Sequence, residues 1–221
     1  VLQRALREYQ EDGEWGDVKK ASDYLKSRYD RIEKAKDLDL LRGVEGESAR
    51  TYFSVFDRLI RHQKEDFFFS ERNRRPPMDR VNSLLSMLYT LLRHEVQSAL
   101  ESVGLDPAVG FLHRDRPGRP SLALDMMEEL RPILADRLAL SLINRKQVQA
   151  QGFRIKENGA VLLEIDTRKE ILAAWQKRKR EEVIHPYLNE KIPIGLIPYT
   201  QALLLARFMR GDIDGYPPFF W

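Results

Sequence analysis

Apolar residues along the chain recur mainly at the three-to-four-residue spacing of a helix that buries one face. The broadest apolar stripe covers residues 79–103 and is ended by Gly104 and Pro107, so it predicts a central core helix. Narrower stripes of the same spacing predict helices over residues 17–37, 46–62, 122–130, 132 to about 150, 167–182 and 198–210. We expect Ser121 to cap the third of these helices and Pro132 to end or kink it. The pattern as a whole predicts a mainly α-helical fold.

One segment departs from the helical spacing. Residues 153–157 alternate between apolar and polar side chains, Asn158-Gly159 is the favoured sequence of a two-residue turn, and residues 160–165 are typical of a second strand. We therefore predict one β-hairpin, and because an isolated hairpin is only marginally stable in water, we expect it to lie against the helices. Residues 62–80, which contain three consecutive phenylalanines, are expected to form a loop anchored by aromatic side chains.

Charge is distributed unevenly along the chain. There are 37 Lys and Arg against 34 Asp and Glu, a net charge of only +3, yet arginines are concentrated in two proline-bearing loops. These arginines are Arg72, Arg74, Arg75, Arg114, Arg116 and Arg119. Because loop arginines can reach a phosphate backbone, the pattern favours a nucleic-acid partner, with a solvated basic surface as the alternative.

Some classes of protein are excluded by what the sequence lacks. It contains no cysteine, which rules out a disulfide scaffold, a thiolate zinc site and a cysteine nucleophile, and which fits a reducing, intracellular setting. No apolar run approaches the roughly 18 residues of a membrane span. The G-x-S-x-G, H-E-x-x-H, P-loop and G-x-G-x-x-G patterns are absent. The chain begins with Val1 and shows no signal-peptide pattern, so we expect it to begin partway through a longer protein.

A few acidic residues and a histidine are candidates for a metal site. Asp125 and Glu128 lie three residues apart on a predicted helix and share a face of it, and His113 lies on the loop that leads into this helix. Paired carboxylates repel each other unless a cation, an arginine or a shared proton intervenes. Mg²⁺ or Mn²⁺ would suit such a site, since these ions favour oxygen ligands with one imidazole. Glu45, between two glycines, is a candidate for a further carboxylate.

Each of these residues also has an ordinary structural interpretation. Asp125 and Glu128 would then be favourable partners of a helix dipole on a solvated surface. His113 would be a structural histidine of the loop, and Gly43 and Gly46 would simply mark a turn. Spacing alone leaves the choice between these interpretations open.

Four local motifs, in order along the chain, make the sequence similar to a known family. They are R-G-V-E-G at residues 42–46; R-R-P-P at 74–77 with V-N-S-L-L-S at 81–86; G-L-D-P at 104–107 with G-F-L-H at 110–113; and S-L-A-L-D-M-M-E at 121–128 with R-P at 131–132. This succession resembles the CRISPR-associated spacer-acquisition integrases, the Cas1 family. The resemblance covers the chain from about residue 40 to the C terminus.

The resemblance implies a metal-dependent DNA integrase and endonuclease. Mg²⁺ or Mn²⁺ would be held by Glu45, His113 and Glu128, which would also be the catalytic residues. Asp125 would be a supporting carboxylate or a water-mediated ligand. Glu128 stands where many relatives carry Asp, which leaves open whether it or Asp125 makes the closer contact with the metal. A DNA 3′-hydroxyl would attack a target phosphodiester in line.

The resemblance also implies a domain arrangement. Residues 1–40 would be an interdomain helix or linker and residues 41–221 the helical catalytic domain, and the family's N-terminal β domain is not expected in this chain. Asn82 and Ser121 would have structural roles near the site. The six loop arginines would hold DNA by its phosphates.

The partners implied by the resemblance are those of CRISPR adaptation. They are double-stranded DNA, both as spacer precursor and as the CRISPR leader–repeat, a second copy of the protein in a homodimer, the small protein Cas2, and a fused or separate Cas4-type nuclease. No membrane association is expected, and the location would be the cytoplasm of a prokaryote. The alternative is a non-catalytic DNA-binding or assembly module of the same complex, in which the carboxylates only cap helices.

Overall fold

The fold is built mainly from α-helices, which confirms the prediction from the sequence pattern. The computed structural model describes residues 1–9, 15–114 and 116–220 of the 221. The helices in this part of the chain are α1 (Leu2–Glu8), α2 (Gly16–Ser27), α3 (Tyr29–Glu33), α4 (Leu38–Ser54), α5 (Arg80–Ser102), α6 (Ser121–Leu130), α7 (Arg137–Asn144), α8 (Ile165–Arg180) and α9 (Ile197–Met209). The same residues form two antiparallel hairpins, β1 (Phe153–Ile155) with β2 (Val161–Leu163), and β3 (Glu182–Ile184) with β4 (Lys191–Pro193).

The hairpin β3–β4 corrects the prediction of a single hairpin. Each of its strands is three residues long, too short for an alternating pattern to be recognised, and Val183 is the one buried residue of β3. The connection contains no Asn-Gly turn, and the N–H of His185 closes it by donating to the carbonyl of Glu190 at 2.8 Å. Pro193 argues against a strand in the sequence, but it is tolerated at the end of an edge strand.

The start of α4 differs from the prediction for a local reason. The helix begins at Leu38 rather than at residue 46, because the side chain of Asp37 caps it by accepting a hydrogen bond of 2.7 Å from the N–H of Leu40. Gly43 and Gly46 consequently lie inside the helix, and the interpretation of these glycines as a turn is wrong. The boundary that the resemblance implies between residues 40 and 41 falls within the same helix.

Helix α6 passes into an unusual segment at the point where Pro132 was expected to end or kink it. Residues 131–136 form a π-helical turn between α6 and α7. Because proline lacks an N–H, it removes one α-helical hydrogen bond at this place. Such π-helical turns are rare and are frequently found at functional sites.

The described chain divides into two compact units. The first consists of residues 1–84 and 140–164, and the second of residues 85–139 together with those from 165 to the C terminus. None of the described helices is both long enough and apolar enough to cross a bilayer.

An aromatic cluster forms part of the core of the first unit. The rings of Phe53, Phe56 and Phe69 lie with their centroids 5.1–5.8 Å apart. The predicted hairpin β1–β2 packs on the aromatic loop through Phe153, whose ring centroid is 5.5 Å from that of Phe67. The loop expected to be anchored by phenylalanines is therefore confirmed, and the hairpin rests on that loop.

The second unit buries the apolar face of α5 and part of the C-terminal tail. Leu88, Leu92 and Leu100 of α5 are fully buried. In the tail, Phe219 is 2% exposed whereas Phe220 is 70% exposed. The terminal Trp221, the third aromatic residue of this tail, lies outside the described residues.

Candidate functional site

Helix α6 carries two of the predicted carboxylates, and the loop before it supplies the N-terminal cap. The carbonyl of Pro107 accepts hydrogen bonds from the N–H groups of Leu122 at 2.9 Å and Ala123 at 3.3 Å, two of the donors that the first turn of a helix leaves unpaired. Ser121 is the first residue of the helix, and its buried hydroxyl donates to the carbonyl of Arg114 at 3.4 Å. The prediction that Ser121 caps the helix is therefore wrong, because the loop carbonyl takes that role.

The loop runs so close to α6 that one position requires glycine. A β-carbon on Gly110 would lie 2.7 Å from the β-carbon of Ser121 and 2.9 Å from both the backbone carbon of Ser121 and Oδ2 of Asp125. Ordinary carbon–carbon contacts are about 3.5–4.0 Å. The missing side chain thus allows the loop backbone to come within hydrogen-bonding distance of Asp125.

Asp125 binds the loop through main-chain N–H groups. Its Oδ2 accepts from the N–H groups of Phe111 at 2.6 Å and Leu112 at 2.9 Å. Its Oδ1 accepts from the N–H of His113 at 2.9 Å and lies 2.5 Å from Nδ1 of the same residue. We call this arrangement the Asp125 clamp. Burial alone would raise the pKa of Asp125, but the hydrogen bonds from the His113 ring and the three N–H groups outweigh burial and lower the pKa below its ordinary value.

The Asp125 clamp also determines the tautomer of His113. With its lowered pKa, Asp125 is ionised at neutral pH and can only accept hydrogen bonds, so Nδ1 of His113 carries the proton between them. Nε2 is then the nitrogen left for coordination or proton transfer. A histidine whose other ring N–H is held by a carboxylate is the usual arrangement of a metal ligand.

Glu128 lies one turn further along α6 and pairs with an arginine. Its Oε1 is 2.5 Å from Nη2 of Arg131, and the guanidinium carbon of Arg131 lies 4.8 Å from the ring centre of Tyr89. The hydroxyl of Tyr89 in turn donates to Asp136 at 2.6 Å. Arg131 was not predicted, although its spacing of three residues from Glu128 on a helix is a signal for such a pair.

Glu45 belongs to the first unit and is exposed on α4, next to the buried Val44. Glu47, which directly follows the R-G-V-E-G motif, connects helices instead, since it accepts hydrogen bonds from the hydroxyl of Tyr24 and from Nη1 of Arg31 at 3.2 Å. The hydrogen bond from Tyr24 is the main cause of the lowered pKa of Glu47. Of these two carboxylates, Glu47 therefore has a structural role and Glu45 faces solvent.

The predicted ligands fit a divalent ion in their chemistry. Carboxylates and one imidazole are suitable donors for Mg²⁺ or Mn²⁺, and the Asp125 clamp orients His113 as a ligand requires. Asp125 has both oxygens engaged by the loop, which suits a supporting role. In residues 1–9, 15–114 and 116–220, no group of three or more histidine, aspartate or glutamate side chains is arranged so that it could hold a metal ion.

The first arginine loop, residues 72–80, is held by a buried polar network. Asn82 is fully buried, and its side-chain amide donates to Asp79 at 2.6 Å and to the carbonyl of Glu71 at 2.8 Å. Its Oδ1 accepts from Nη1 of Arg72 at 2.5 Å. Asn82 thus anchors the loop, and Arg72 is a half-buried part of that anchor.

The other predicted arginines differ in exposure. Arg74 and Arg75 are exposed, and their side chains have no hydrogen-bond or ion-pair partner in the described part of the chain. Of the arginines in the loop before α6, Arg114 and Arg116 are exposed and Arg119 is partly buried. The side chains best placed to contact a phosphate backbone are therefore the exposed ones, those of Arg74, Arg75, Arg114 and Arg116.

Comparison with protein families and curated proteins finds relatives along the whole chain. The family model described as CRISPR associated protein Cas1 matches residues 1–177. CRISPR-associated endonuclease Cas1 2 of Rhodospirillum rubrum is 59% identical over 225 residues, which cover 100% of this chain and 65% of that protein. CRISPR-associated endonuclease Cas1 1 of Chlorobaculum tepidum is 55% identical over 221 residues, which cover 100% of this chain and 64% of that protein. The chain therefore spans less than two thirds of the length of these two relatives.

A further relative combines two enzymes in one chain. The CRISPR-associated exonuclease Cas4/endonuclease Cas1 fusion of Geobacter sulfurreducens is 42% identical over 189 residues. The match covers 84% of this chain and 34% of the fusion protein.

Solved structures share the fold. A chain of a partial Cas6-RT-Cas1–Cas2 complex is 25% identical with a TM-score of 0.82, covering 99% of this chain and 64% of that one. A casposase bound to integration product is 26% identical with a TM-score of 0.77, covering 90% of this chain and 58% of that one.

Proposed function

Since this chain belongs to the Cas1 family of CRISPR-associated proteins, we propose that it is the catalytic part of an integrase that adds new DNA segments to a CRISPR array. In the proposed reaction a DNA 3′-hydroxyl loses its proton and attacks the phosphorus of a phosphodiester of the array. The new P–O bond forms as the bond to the 3′-oxygen of the target strand breaks, and that oxygen leaves as a hydroxyl after taking up a proton. The observation that carries the proposal is the 59% identity, over the whole chain, to a relative named as a Cas1 endonuclease. The similarity in fold to a casposase bound to integration product supports DNA joining as the class of reaction.

The proposed ligands of Mg²⁺ or Mn²⁺ are Glu45, His113 and Glu128. A bound divalent ion would stabilise the charge that develops on the phosphodiester. The Asp125 clamp supports this proposal, because it leaves Nε2 of His113 available for coordination or for a proton from the attacking hydroxyl. Asp125 is accordingly proposed as the supporting carboxylate.

The proposed DNA contacts come from the exposed arginines. Arg74, Arg75, Arg114 and Arg116 would neutralise phosphates, and such contacts position DNA without reading its sequence. Arg72 differs from them, since its guanidinium donates to Asn82 within the loop. We propose that Arg72 contributes to DNA binding indirectly, through the shape of the first arginine loop.

The proposed partners follow the named relatives. The fold similarity to a chain of a Cas6-RT-Cas1–Cas2 complex supports Cas2 as a partner, and the Cas4/Cas1 fusion supports a nuclease that is fused or separate. A homodimer acting on double-stranded DNA in the prokaryotic cytoplasm completes the proposal.

One observation favours a second candidate function, a non-catalytic DNA-binding or assembly module. Glu128 already has a cationic partner, since its side chain is paired with that of Arg131. In such a module the carboxylates would have structural roles only. The two functions differ in whether DNA joining occurs and whether it depends on a divalent ion.

A strand-transfer assay tests the proposed function. The full-length protein and its Cas2 partner would be mixed with a labelled short duplex with free 3′-hydroxyls and a leader–repeat target, in Mg²⁺ or Mn²⁺ and in EDTA. We expect a joined product that EDTA abolishes. The substitutions Glu45→Ala, His113→Ala and Glu128→Ala should each abolish joining and preserve the helical fold, as measured by circular dichroism.

The matched control is Glu170→Ala on α8, where the exposed side chain has no partner in the described part of the chain. This variant should join DNA like the unmodified protein. Full activity in all three site variants would refute the assignment of the site. Tight DNA binding without any joining would favour the assembly module.

A further inference from the structure

A second buried polar cluster lies in the second unit, and it contains none of the residues assigned to the proposed chemistry. We call it the tail cluster, and its members are Glu129 of α6, His185 after β3, Gln201 of α9, and Tyr216 and Phe219 of the C-terminal tail. His185 and Gln201 are fully buried, and Phe219 is 2% exposed. Four segments that are distant in sequence therefore meet in this cluster.

Glu129 accepts hydrogen bonds from three other members of the cluster. The hydroxyl of Tyr216 donates to its Oε1. The N–H of Phe219 donates to its Oε2 at 2.6 Å, and the side-chain amide of Gln201 donates to the same oxygen at 3.1 Å. Because every partner is a donor, an amide in place of this carboxylate would bring two donors together.

The orientation of Gln201 is fixed from the opposite side by His185. Nδ1 of His185 accepts from the backbone N–H groups two and three residues further on, each at 3.3 Å. Nε2 therefore carries the proton and donates to Oε1 of Gln201 at 3.0 Å. The amide nitrogen of Gln201 then faces Glu129, the hydroxyl of Tyr216 at 2.7 Å and the carbonyl of Pro217 at 3.2 Å.

We infer that the tail cluster positions Glu128, an inference that rests on the proposed function. Glu129 directly follows Glu128, so their α-carbons are about 3.8 Å apart, and a movement of α6 that separates Glu129 from the tail moves Glu128 as well. The α-helix ends at Leu130, where the π-helical turn begins. Glu129 lies in the last turn of α6, and the hydrogen bonds that it accepts from Gln201, Tyr216 and Phe219 hold this turn.

Even a small displacement of Glu128 would affect the rate of the proposed reaction. A misplacement of about 1 Å in a catalytic group can lower a rate by about 10²-fold. Tyr216 and Phe219 would hold α6 in place from outside the proposed site, so they are positioning residues and not catalytic ones. DNA affinity should depend little on them, since their partners in the cluster are Glu129, Gln201 and His185.

The substitution Tyr216→Phe tests this inference because it removes only the hydroxyl. The matched control is Tyr199→Phe, at a tyrosine of α9 that is 45% exposed. Both variants of the full-length protein, with its Cas2 partner, would be assayed well below their melting temperatures. Tyr216→Phe should lower the single-turnover rate of joining by about tenfold or more, with the Kd for DNA unchanged. Tyr199→Phe should change neither quantity.

A double substitution tests whether the hydroxyl acts through Glu129. Once Glu129→Ala has removed the acceptor, adding Tyr216→Phe should lower the rate no further. An additive loss would overturn the inference, as would a rate for Tyr216→Phe equal to that of Tyr199→Phe, or a weaker Kd that accounts for the slower joining. Absence of joining by the unmodified complex would instead refute the proposed function itself.

Discussion

The same substitution, glycine to alanine, should have opposite effects on stability at two positions of this chain. At Gly110 the new β-carbon would lie 2.7 Å from that of Ser121, about 0.8 Å inside the shortest ordinary carbon contact of about 3.5 Å. At Gly43, inside α4, it would meet no atom of the described residues within 4 Å beyond its chain neighbours and the helix backbone. One position is therefore overpacked by a methyl group and the other is not.

The expected magnitudes follow from these surroundings. At Gly110 overpacking costs about 1–3 kcal/mol, and moving the loop away from α6 also weakens the hydrogen bonds of Phe111 and Leu112 to Oδ2 of Asp125, at a net cost of about 1 kcal/mol. Gly110→Ala should therefore lower the free energy of unfolding by about 2–4 kcal/mol. Gly43→Ala should raise it by up to about 1 kcal/mol, because alanine is the better helix former.

Urea unfolding followed by circular dichroism would measure both changes against the unmodified protein. The strand-transfer assay would add a second readout for Gly110→Ala, since displacing the loop also displaces His113 and should slow joining. A neutral or stabilising Gly110→Ala would refute the close approach of the loop to α6. A destabilising Gly43→Ala would refute the open surroundings of that glycine.

Three more predictions concern the Asp125 clamp, the first arginine loop and the proposed metal. Asp125→Asn should lower the free energy of unfolding at neutral pH by about 1–3 kcal/mol, since an amide cannot accept all four hydrogen bonds. Because folding lowers the pKa of Asp125, the ionised carboxylate stabilises the fold above the unfolded pKa of about 3.9, and this stabilisation is lost as the pH falls through the folded pKa. Urea unfolding of the unmodified protein and of Asp125→Asn across pH 3–7 should therefore show the difference between their free energies of unfolding shrinking below about pH 4. A difference that stays constant with pH would contradict the assignment. Replacing Arg74 and Arg75 with alanine should reduce the slope of log affinity for DNA against log salt by about 1–2, measured by fluorescence anisotropy, and an unchanged slope would mean that these arginines do not contact phosphates. Mn²⁺ should raise the melting temperature of the unmodified protein and raise that of Glu128→Ala less; equal shifts would exclude Glu128 as a ligand.

The elements that were predicted correctly are those whose signal is local and repeated. Helix α5 has an apolar stripe along its whole length and a clear stop at Gly104, and its observed bounds lie within a residue of the predicted ones. The hairpin β1–β2 has Asn158-Gly159, and Gly159 adopts the positive φ of 79° that its turn requires. The hairpin β3–β4 has strands too short for a periodic signal.

The candidate site was only partly accessible from sequence, because its key contacts join residues that no spacing rule connects. The motifs pointed to His113, Asp125 and Glu128, but nothing in the pattern indicated that Asp125 binds three successive backbone N–H groups. The cap of α6 was missed for the same reason, since a carbonyl at Pro107 has no signature in the side-chain sequence. The role of Glu129 in the tail cluster depends on Tyr216, far along the chain.

The Asp125 clamp has a consequence for how this loop can vary. Asp125 binds main-chain N–H groups, which every amino acid except proline possesses, so the clamp places few demands on the side chains at positions 111 and 112. Phe111 is 56% exposed. The residue at position 111 can therefore be exchanged, by natural drift or by engineering, to alter what the protein presents to a substrate while His113 keeps its orientation.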